Sequence, residues 1–240
     1  MQNKILGVIG GLGPMATAHF MALVTEMTDA RTDQDHLEMI IHSDPSIPDR
    51  TQHILDSTKP TPLPRMLAIG QQLAGQGAGI IAVPCVTAHY FWDILDAGIC
   101  VPVINGVRET VAALKAQDLT RIGIMATDGT VRSGIFSKEL TSQGLIPIIP
   151  SPDCQRKVMG LIFDNIKAGI PAQMENFHAV RQELQRSGAQ AIILGCTELS
   201  LIKRDYPIGP GFIDAMEVLA QQSVLRCGKA LKPEYTNLIT

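Results

Sequence analysis

Residues 80–87 read IIAVPCVT and residues 191–197 read AIILGCT, and these two stretches decide the fold. Each is a short apolar run rich in isoleucine, which predicts a buried β-strand. Each ends at a cysteine, Cys85 or Cys196, with a threonine close behind it. Because one stretch lies in each half of the 240-residue chain, the pattern indicates two similar halves.

Strands and helices alternate on both sides of these stretches. Further strands are predicted at residues 5–9, 37–41, 101–104, 121–125 and 145–149, with helical stretches between them. This alternation predicts the α/β class, as two pseudo-symmetric three-layer domains with mainly parallel sheets covered by helices. Ligands of such folds bind beyond the carboxyl ends of the strands, here in the cleft between the halves.

No low-complexity linker separates the halves, and the boundary is expected near Asn105. The predicted first domain comprises residues 1–104 and 212–240 and carries Cys85. The second domain comprises residues 105–211 and carries Cys196. The helix after Gly211 is assigned to the first domain because that half otherwise ends without a covering element.

Composition excludes several classes of protein. Apolar residues make up 45% and charged residues 18% of the chain, which is typical of a globular protein. The net charge of −3 and the lack of a basic run argue against a nucleic-acid or anionic-membrane partner. No apolar stretch is long enough for a signal peptide or a membrane span, so a cytoplasmic location is expected. In that reducing compartment the five cysteines are expected to be unpaired.

The two repeated cysteines suggest proton transfer. If the halves face each other, Cys85 and Cys196 lie on opposite sides of a cleft, so one group can remove an α-proton while the other delivers one. A thiol, with a reference pKa of about 8.5, can serve in either protonation state near neutral pH. Thr87 and Thr197 could stabilise a thiolate and hold a carboxylate. Taken singly, either cysteine could be an ordinary buried residue, but the repetition favours a catalytic pair.

The loop at residues 10–16, GGLGPMA, follows the first strand and matches the dinucleotide fingerprint G-x-G-x-x-A. The fingerprint also requires an acidic residue about 20 positions later. Asp44 comes too late in the sequence to fit well. The alternative is that Gly11 and its neighbours let backbone amides approach a small carboxylate.

Three further candidates stay open at this point. Arg50 lies in a loop stiffened by two prolines, where it could bind a carboxylate or be solvated. His89, one helical turn after Cys85, could be a hydrolase base, part of a zinc site or an ordinary helix residue. Thr127 and Thr130 lie in a strand–helix junction that could cap the helix or bind an anion.

Together these motifs resemble the aspartate/glutamate racemase family, and the aspartate-racemase-like branch in particular. That family includes hydantoin racemase, maleate isomerase and arylmalonate decarboxylase relatives. The resemblance covers essentially the whole chain. The matching stretches are residues 10–17, 45–50, 84–89, 126–130 and 195–198.

The resemblance implies two α/β domains with the active site between them, no pyridoxal phosphate or other cofactor, no metal, and a homodimer. It also implies a role for each matching residue. Cys85 and Cys196 are expected to be catalytic, Arg50 to bind the distal carboxylate, and Lys167 to approach from the other domain. The residues expected to hold the substrate α-carboxylate or to flank the thiols are four threonines: Thr87, Thr127, Thr130 and Thr197.

One residue departs from the family pattern. The first cysteine motif usually reads Cys-Asn-Thr, whereas this chain has Val86 in the substrate-binding position of the asparagine. Valine offers no side-chain hydrogen bond, a loss of about 1.5–3 kcal/mol at a charged group.

The expected function is a racemase of acidic amino acids, aspartate before glutamate. Alternatives are a related isomerase or lyase for another small carboxylic acid, and a non-catalytic protein that binds a small acid or a nucleotide. A Cys–His hydrolase would leave Cys196 unexplained.

Overall fold

The computed structural model describes residues 3–240 and contains two parallel β-sheets. The first sheet has the strand order β2-β1-β3 and the second has the order β5-β4-β6-β7. The strands are β1 (Ile5–Gly10), β2 (Met39–Ser43), β3 (Ala78–Ala82), β4 (Arg121–Ala126), β5 (Ile146–Ile148), β6 (Ala191–Gly195) and β7 (Phe212–Asp214). Every neighbouring pair runs parallel, as the apolar strands separated by helices predict.

Helices connect the strands of both sheets. They are α1 (Pro14–Met27), α2 (Arg50–Leu55), α3 (Leu63–Gly75), α4 (Trp92–Gly98), α5 (Gly106–Lys115), α6 (Asp128–Ser133), α7 (Ile135–Ser142), α8 (Pro152–Met159), α9 (Met174–Arg186), α10 (Thr197–Asp205) and α11 (Ala215–Arg226). Short 3₁₀ turns cover Asp33–Asp35, Val86–Phe91 and Pro233–Tyr235, and a π-helical turn covers Gly160–Ile166. The predicted two-domain α/β class is confirmed.

The two halves repeat one topology. Strands β1, β2 and β3 of the first sheet correspond to β4, β5 and β6 of the second. In the second sheet, β7 pairs with β6. At the equivalent place in the first sheet, beside β3, there is only a single bridge from Ile81 to Val103. Helix α5 follows that bridge as α11 follows β7. The strand predicted at residues 101–104 is thus reduced to one bridging residue.

Alternating side chains bury both faces of each sheet. On β3, Ile80 packs into a central core while Ile81 packs into an outer core with α3 and α4. On β6, Ile193 packs into the same central core while Ile192 packs into a second outer core with α8 and α9. This alternation follows from the two-residue period of a strand, and it produces the layers predicted from sequence.

The central core joins the two halves. It contains residues of β1 and β4 together with residues of α1, α5 and α11. Strand β7 belongs to the second sheet, whereas the helix after it packs against both α1 and α5. The division into residues 1–104 with 212–240 and residues 105–211 stays a prediction. Residues 1 and 2 lie outside the described residues.

Gly11 permits the sharp turn after β1. Its φ is +90°, and a Cβ there would lie 2.4 Å from backbone atoms of Asp44. Its N–H donates to Thr17 Oγ1 at 2.9 Å, so this amide is already engaged. The missing side chain of Gly11 therefore allows the close approach of the Asp44 main chain to this turn.

Gly11→Ala is expected to lower the free energy of unfolding by about 2–5 kcal/mol, because backbone strain and a steric clash add. Urea unfolding followed by circular dichroism measures the change. Gly144→Ala is the control, since Gly144 also has a positive φ but no atom near its Cβ position. Equal losses in the two variants would contradict the clash at Asp44.

Candidate active site

The two thiols occupy equivalent places in the two halves. Cys85 lies just beyond β3 and precedes the 3₁₀ turn Val86–Phe91, and Cys196 follows β6 and caps α10. Both side chains are buried. Both line one small cavity, to which each half of the chain contributes. The carboxyl ends of β3 and β6 therefore bring the two predicted catalytic residues to the same place.

The cavity between the thiols is nearly closed. Its volume is about 20 Å³, which is room for one water molecule and too little for an amino acid. Beside it lies a depression of about 400 Å³. Four residues line both spaces: Asp49, Arg50, Lys167 and Glu198. Substrate entry thus requires movement of these side chains or of the two halves, as in enzymes that close over their substrates.

Three buried threonines connect the two halves at the cavity. Thr87 Oγ1 lies 3.0 Å from both Thr127 Oγ1 and Thr130 Oγ1, which are 3.1 Å from each other. Thr127 also caps α6, because its Oγ1 accepts from the N–H of Thr130 at 3.2 Å. The capping interpretation is therefore confirmed, and anion binding by this threonine cluster stays a prediction.

Arg50, the first residue of α2, is buried and held by main-chain carbonyls. Its Nη1 donates to Ile47 O at 3.3 Å and Pro48 O at 3.1 Å, and its Nη2 donates to Leu12 O at 3.1 Å. Its Nε is buried without a hydrogen-bond partner among residues 3–240. Burial acts to lower the pKa of Arg50, but the neighbouring Cys85, Asp49 and Glu198 outweigh it and raise that pKa.

Glu198 is the site residue that the sequence reasoning did not select. Its Oε1 lies 2.9 Å from Lys167 Nζ. Its Oε2 accepts from Cys196 Sγ at 2.9 Å and from Thr197 Oγ1 at 3.1 Å. Its position two residues after a predicted catalytic cysteine, in the first turn of α10, is the sequence signal that could have identified it.

The pKa values of this cluster are shifted by burial and by charge. Burial acts to raise the pKa of Glu198, yet Lys167 and the hydrogen bond from Cys196 bring it below its usual value. Burial acts to lower the pKa of Lys167, and Glu198 raises it instead. Burial and the Glu198 carboxylate together raise the pKa of Cys196 well above that of an ordinary thiol. The 2.9 Å contact makes Glu198 and Lys167 an ion pair, and burial and the Glu198 carboxylate both favour the protonated form of the Cys196 thiol.

Lys167 is positioned by the π-helical turn that extends α8. The turn covers Gly160–Ile166 and ends at Lys167, whose Nζ lies 5.4 Å from the centroid of the Phe163 ring. Phe163 also lines the thiol cavity. Such turns are frequent at functional sites, whereas the sequence predicts one continuous helix over residues 153–168.

Val86 and His89 lie behind the thiols. Val86 lines the cavity and packs into the central core, so no side-chain donor stands at that point of the wall. His89 is buried, and its Nδ1 lies 3.1 Å from the carbonyl oxygen of Cys85 rather than bonding to its sulfur. Burial lowers the pKa of His89. Burial therefore favours the neutral imidazole, and its Nδ1 contacts the main chain instead of the thiol, which does not support a Cys–His hydrolase.

Asp44 has a structural role, and the described residues contain neither a group of metal ligands nor a membrane-spanning helix. Asp44 is bound by Ser46 and Arg65, and these hydrogen bonds lower its pKa to about 2, so it is not free for a ribose hydroxyl. Within residues 3–240 no three His, Cys, Asp or Glu side chains are grouped to hold a metal. In the same range, no helix has the length and apolar character needed to cross a bilayer.

Asp214 is a buried carboxyl group next to the active-site helix. Its Oδ1 accepts from Ser200 Oγ at 2.7 Å and from the N–H of Met216 at 2.8 Å, and Oδ2 has no partner within residues 3–240. Burial, with the charge of Glu217, raises its pKa to about 7. The folded protein therefore keeps this proton at a pH where the unfolded chain, with a pKa of about 4, has lost it.

We expect the free energy of unfolding of the wild type to fall relative to that of Asp214→Asn between pH 4 and 7. The protonated carboxyl stabilises the fold below pH 4, and that contribution is lost as the pH rises to about 7. The difference should change by on the order of 1 kcal/mol per pH unit in this window. Urea unfolding at pH 4.5, 5.5, 6.5 and 8 measures it, and a constant difference would refute the buried proton.

Comparisons with known proteins agree with this geometry. Residues 9–223 match the family model described as Asp/Glu/Hydantoin racemase. The broad specificity amino-acid racemase RacX of Bacillus subtilis is 27% identical over 230 residues, which are 92% of this chain and 96% of that protein. Picrophilus torridus aspartate racemase has a TM-score of 0.81 at 30% identity, with 97% of each chain covered. Glutamate racemase from Francisella tularensis has a TM-score of 0.67 at 17% identity over 92% of this chain and 80% of that one, a likeness in fold.

Proposed function

The chain belongs to the Asp/Glu/hydantoin racemase family and is an amino-acid racemase, and we propose that it interconverts L- and D-aspartate without a cofactor. Glutamate is the second substrate we propose. In the proposed reaction, Cys85 and Cys196 act on opposite faces of the α-carbon. One thiolate removes the α-proton, and the other cysteine donates its proton to the opposite face.

The observation that carries this proposal is that two thiols, at equivalent positions in the two halves of the chain, line one cavity. A single base would return the proton to the face from which it came. Two groups that act on opposite faces of the α-carbon allow inversion without a large movement of the substrate. Burial of both thiols also favours the reaction, because a water-poor site strengthens the interactions that stabilise a carbanion.

The polar groups of the site suit an amino acid with two carboxylates. We assign the α-carboxylate to Thr87, Thr127 and Thr130, whose hydroxyls converge between the halves. We assign the distal carboxylate to Arg50, which lines both cavities and whose buried Nε has no partner within residues 3–240, with Lys167 close by. Thr197 flanks the second thiol. Aspartate is supported by the relative named aspartate racemase, whereas the relative named a broad-specificity racemase makes other amino acids the necessary comparison.

The test is α-proton exchange in D₂O with each enantiomer of aspartate, glutamate and alanine, in the absence of cofactor. NMR follows exchange and chiral chromatography follows inversion. Exchange with inversion for aspartate supports the proposal. Exchange confined to glutamate or alanine would reject aspartate and indicate a racemase of another amino acid, whereas exchange with none of the six would favour the related isomerase or lyase that Val86 leaves open. A homodimer and a cytoplasmic location stay predictions.

A further inference from the structure

The two thiols have different neighbours despite their equivalent places in the fold. Two residues after Cys85 stands Thr87, whose hydroxyl joins the threonine cluster. Two residues after Cys196 stands Glu198, whose carboxylate accepts a hydrogen bond from the thiol itself. The chain therefore places a neutral hydroxyl in one half where it places an anion in the other. This difference must affect which cysteine holds the proton.

The Glu198 carboxylate is fixed in its position. It is only 4% exposed, Lys167 Nζ holds one oxygen at 2.9 Å, and Thr197 Oγ1 donates to the other at 3.1 Å. An ionised carboxylate can only accept hydrogen bonds, so Cys196 must keep its proton to form the 2.9 Å contact. A thiolate at this position would face a second anion in a site with little water to screen the repulsion.

We propose that Glu198 is a positioning residue that holds Cys196 as the protonated member of the thiol pair in the free enzyme. This inference rests on the proposed two-thiol reaction and assigns its starting state. The Cys85 thiolate takes the α-proton, and the electron pair of the broken C–H bond stays on the α-carbon. The S–H bond of Cys196 then breaks, its proton bonds to the opposite face, and its electron pair stays on sulfur as a thiolate.

The starting state is restored by one proton transfer. After inversion, Cys85 carries the proton and the negative charge lies on Cys196, beside Glu198. Lys167 offsets part of this repulsion, since its charge lowers the pKa of Cys196 while burial and Glu198 raise it. Movement of the proton from Cys85 to Cys196, through solvent or product, returns the charge to the side without a carboxylate.

The test is the pH profile of alkylation of each cysteine by iodoacetamide, read by peptide mass spectrometry from pH 6 to 11. The shape of the profile reports titration and is independent of how easily the reagent enters. In the wild type, Cys196 should react with a midpoint well above that of an ordinary thiol. In Glu198→Gln, which keeps the shape of the side chain and removes its charge, Cys196 should react about tenfold faster or more at pH 8, equivalent to one pKa unit.

Two further variants separate charge from packing. Glu198→Asp keeps the charge and should keep the high midpoint of Cys196, even where a shorter side chain lowers activity. Glu217→Gln breaks the comparable ion pair between Lys203 on α10 and Glu217 on α11, and should leave the Cys196 profile unchanged.

The proposal fails if Cys196 of the wild type titrates like an ordinary thiol, a result that needs no variant to fold. It also fails if Glu198→Gln leaves the midpoint in place. Alkylation requires no turnover, so a shifted profile in a protein that does not racemise aspartate would reject the proposed substrate and keep the role of Glu198. Racemisation of aspartate with an unshifted alkylation profile would support the proposed substrate and reject the role of Glu198.

Discussion

Replacing either Cys85 or Cys196 by alanine is expected to lower the rate of aspartate racemisation by about 10²–10⁴-fold, the contribution of one general acid or base. Each thiol serves one face of the α-carbon in the proposed reaction, so neither can substitute for the other. Both side chains are buried in the wall of one cavity, and alanine leaves no proton donor or acceptor at the position it occupies.

Isotope exchange makes this expectation specific. The variant that lacks Cys196 keeps the proposed Cys85 base, so it should exchange the α-proton of one enantiomer with D₂O and fail to invert it. The variant that lacks Cys85 keeps only Cys196, which Glu198 holds protonated, so it should exchange the α-proton of the other enantiomer far more slowly. Chiral chromatography and NMR on the same samples measure inversion and exchange separately.

The chain supplies its own controls for loss of a sulfur atom. Cys100 is exposed and Cys227 is buried in the central core, and neither lines the thiol cavity. Cys100→Ala and Cys227→Ala should therefore racemise at the wild-type rate once any loss of stability in Cys227→Ala is corrected for. Full racemisation by Cys85→Ala or Cys196→Ala would refute the two-thiol reaction.

The sequence predicted the parts of the fold that are encoded locally. Strands such as β1, β4 and β6 are continuous apolar runs, and such runs predict buried parallel strands without knowledge of their neighbours. Strand β7 has three residues and was missed, because its pairing with β6 comes from tertiary packing. Helix α2 was missed for a related reason, since its six residues follow a proline-rich loop and its cap depends on Asp49.

Prediction of the site was less complete, because polar contacts depend on distant residues. The repeated Cys–Thr pattern identified both thiols, and their shared cavity then followed from the pseudo-symmetry. Lys167 was identified only from the family resemblance, since a lysine near the end of a helix carries no signal of its own. Glu198 was quoted in a motif but not selected, because only the structure shows its carboxylate between a lysine and a thiol.

The role of Arg50 depends on its burial, which the sequence does not show. From sequence it could have been a solvated arginine on a rigid loop. The structure buries it and ties it to main-chain carbonyls of two loops, the one after β1 and the one after β2. The guanidinium therefore holds these two loops together, and its Nε is buried without a partner within residues 3–240.

Replacing Arg50 by glutamine is expected to lower kcat/KM for aspartate by about 10²–10³-fold. Loss of a buried charged partner for a carboxylate costs about 2–5 kcal/mol, and the carbonyls of Leu12, Ile47 and Pro48 lose their donor as well. Arg50→Lys should recover little of this activity, because one ammonium group cannot replace the planar donor set. Arg65→Gln is the control, since the half-exposed Arg65 binds Asp44 on the same loop and exposed ion pairs contribute little to stability.

A comparison of aspartate with alanine shows whether Arg50 binds the distal carboxylate. If its Nε binds the distal carboxylate, Arg50→Gln should reduce kcat/KM for aspartate far more than for alanine, which has no distal carboxylate, and most of the change should be in KM. An equal reduction for both amino acids would show that Arg50 acts by holding the two loops or by its charge near Cys85, and the assignment of the distal carboxylate to Arg50 would then be wrong. Steady-state kinetics with the two substrates, on variants whose folding is verified by urea unfolding, separates these outcomes.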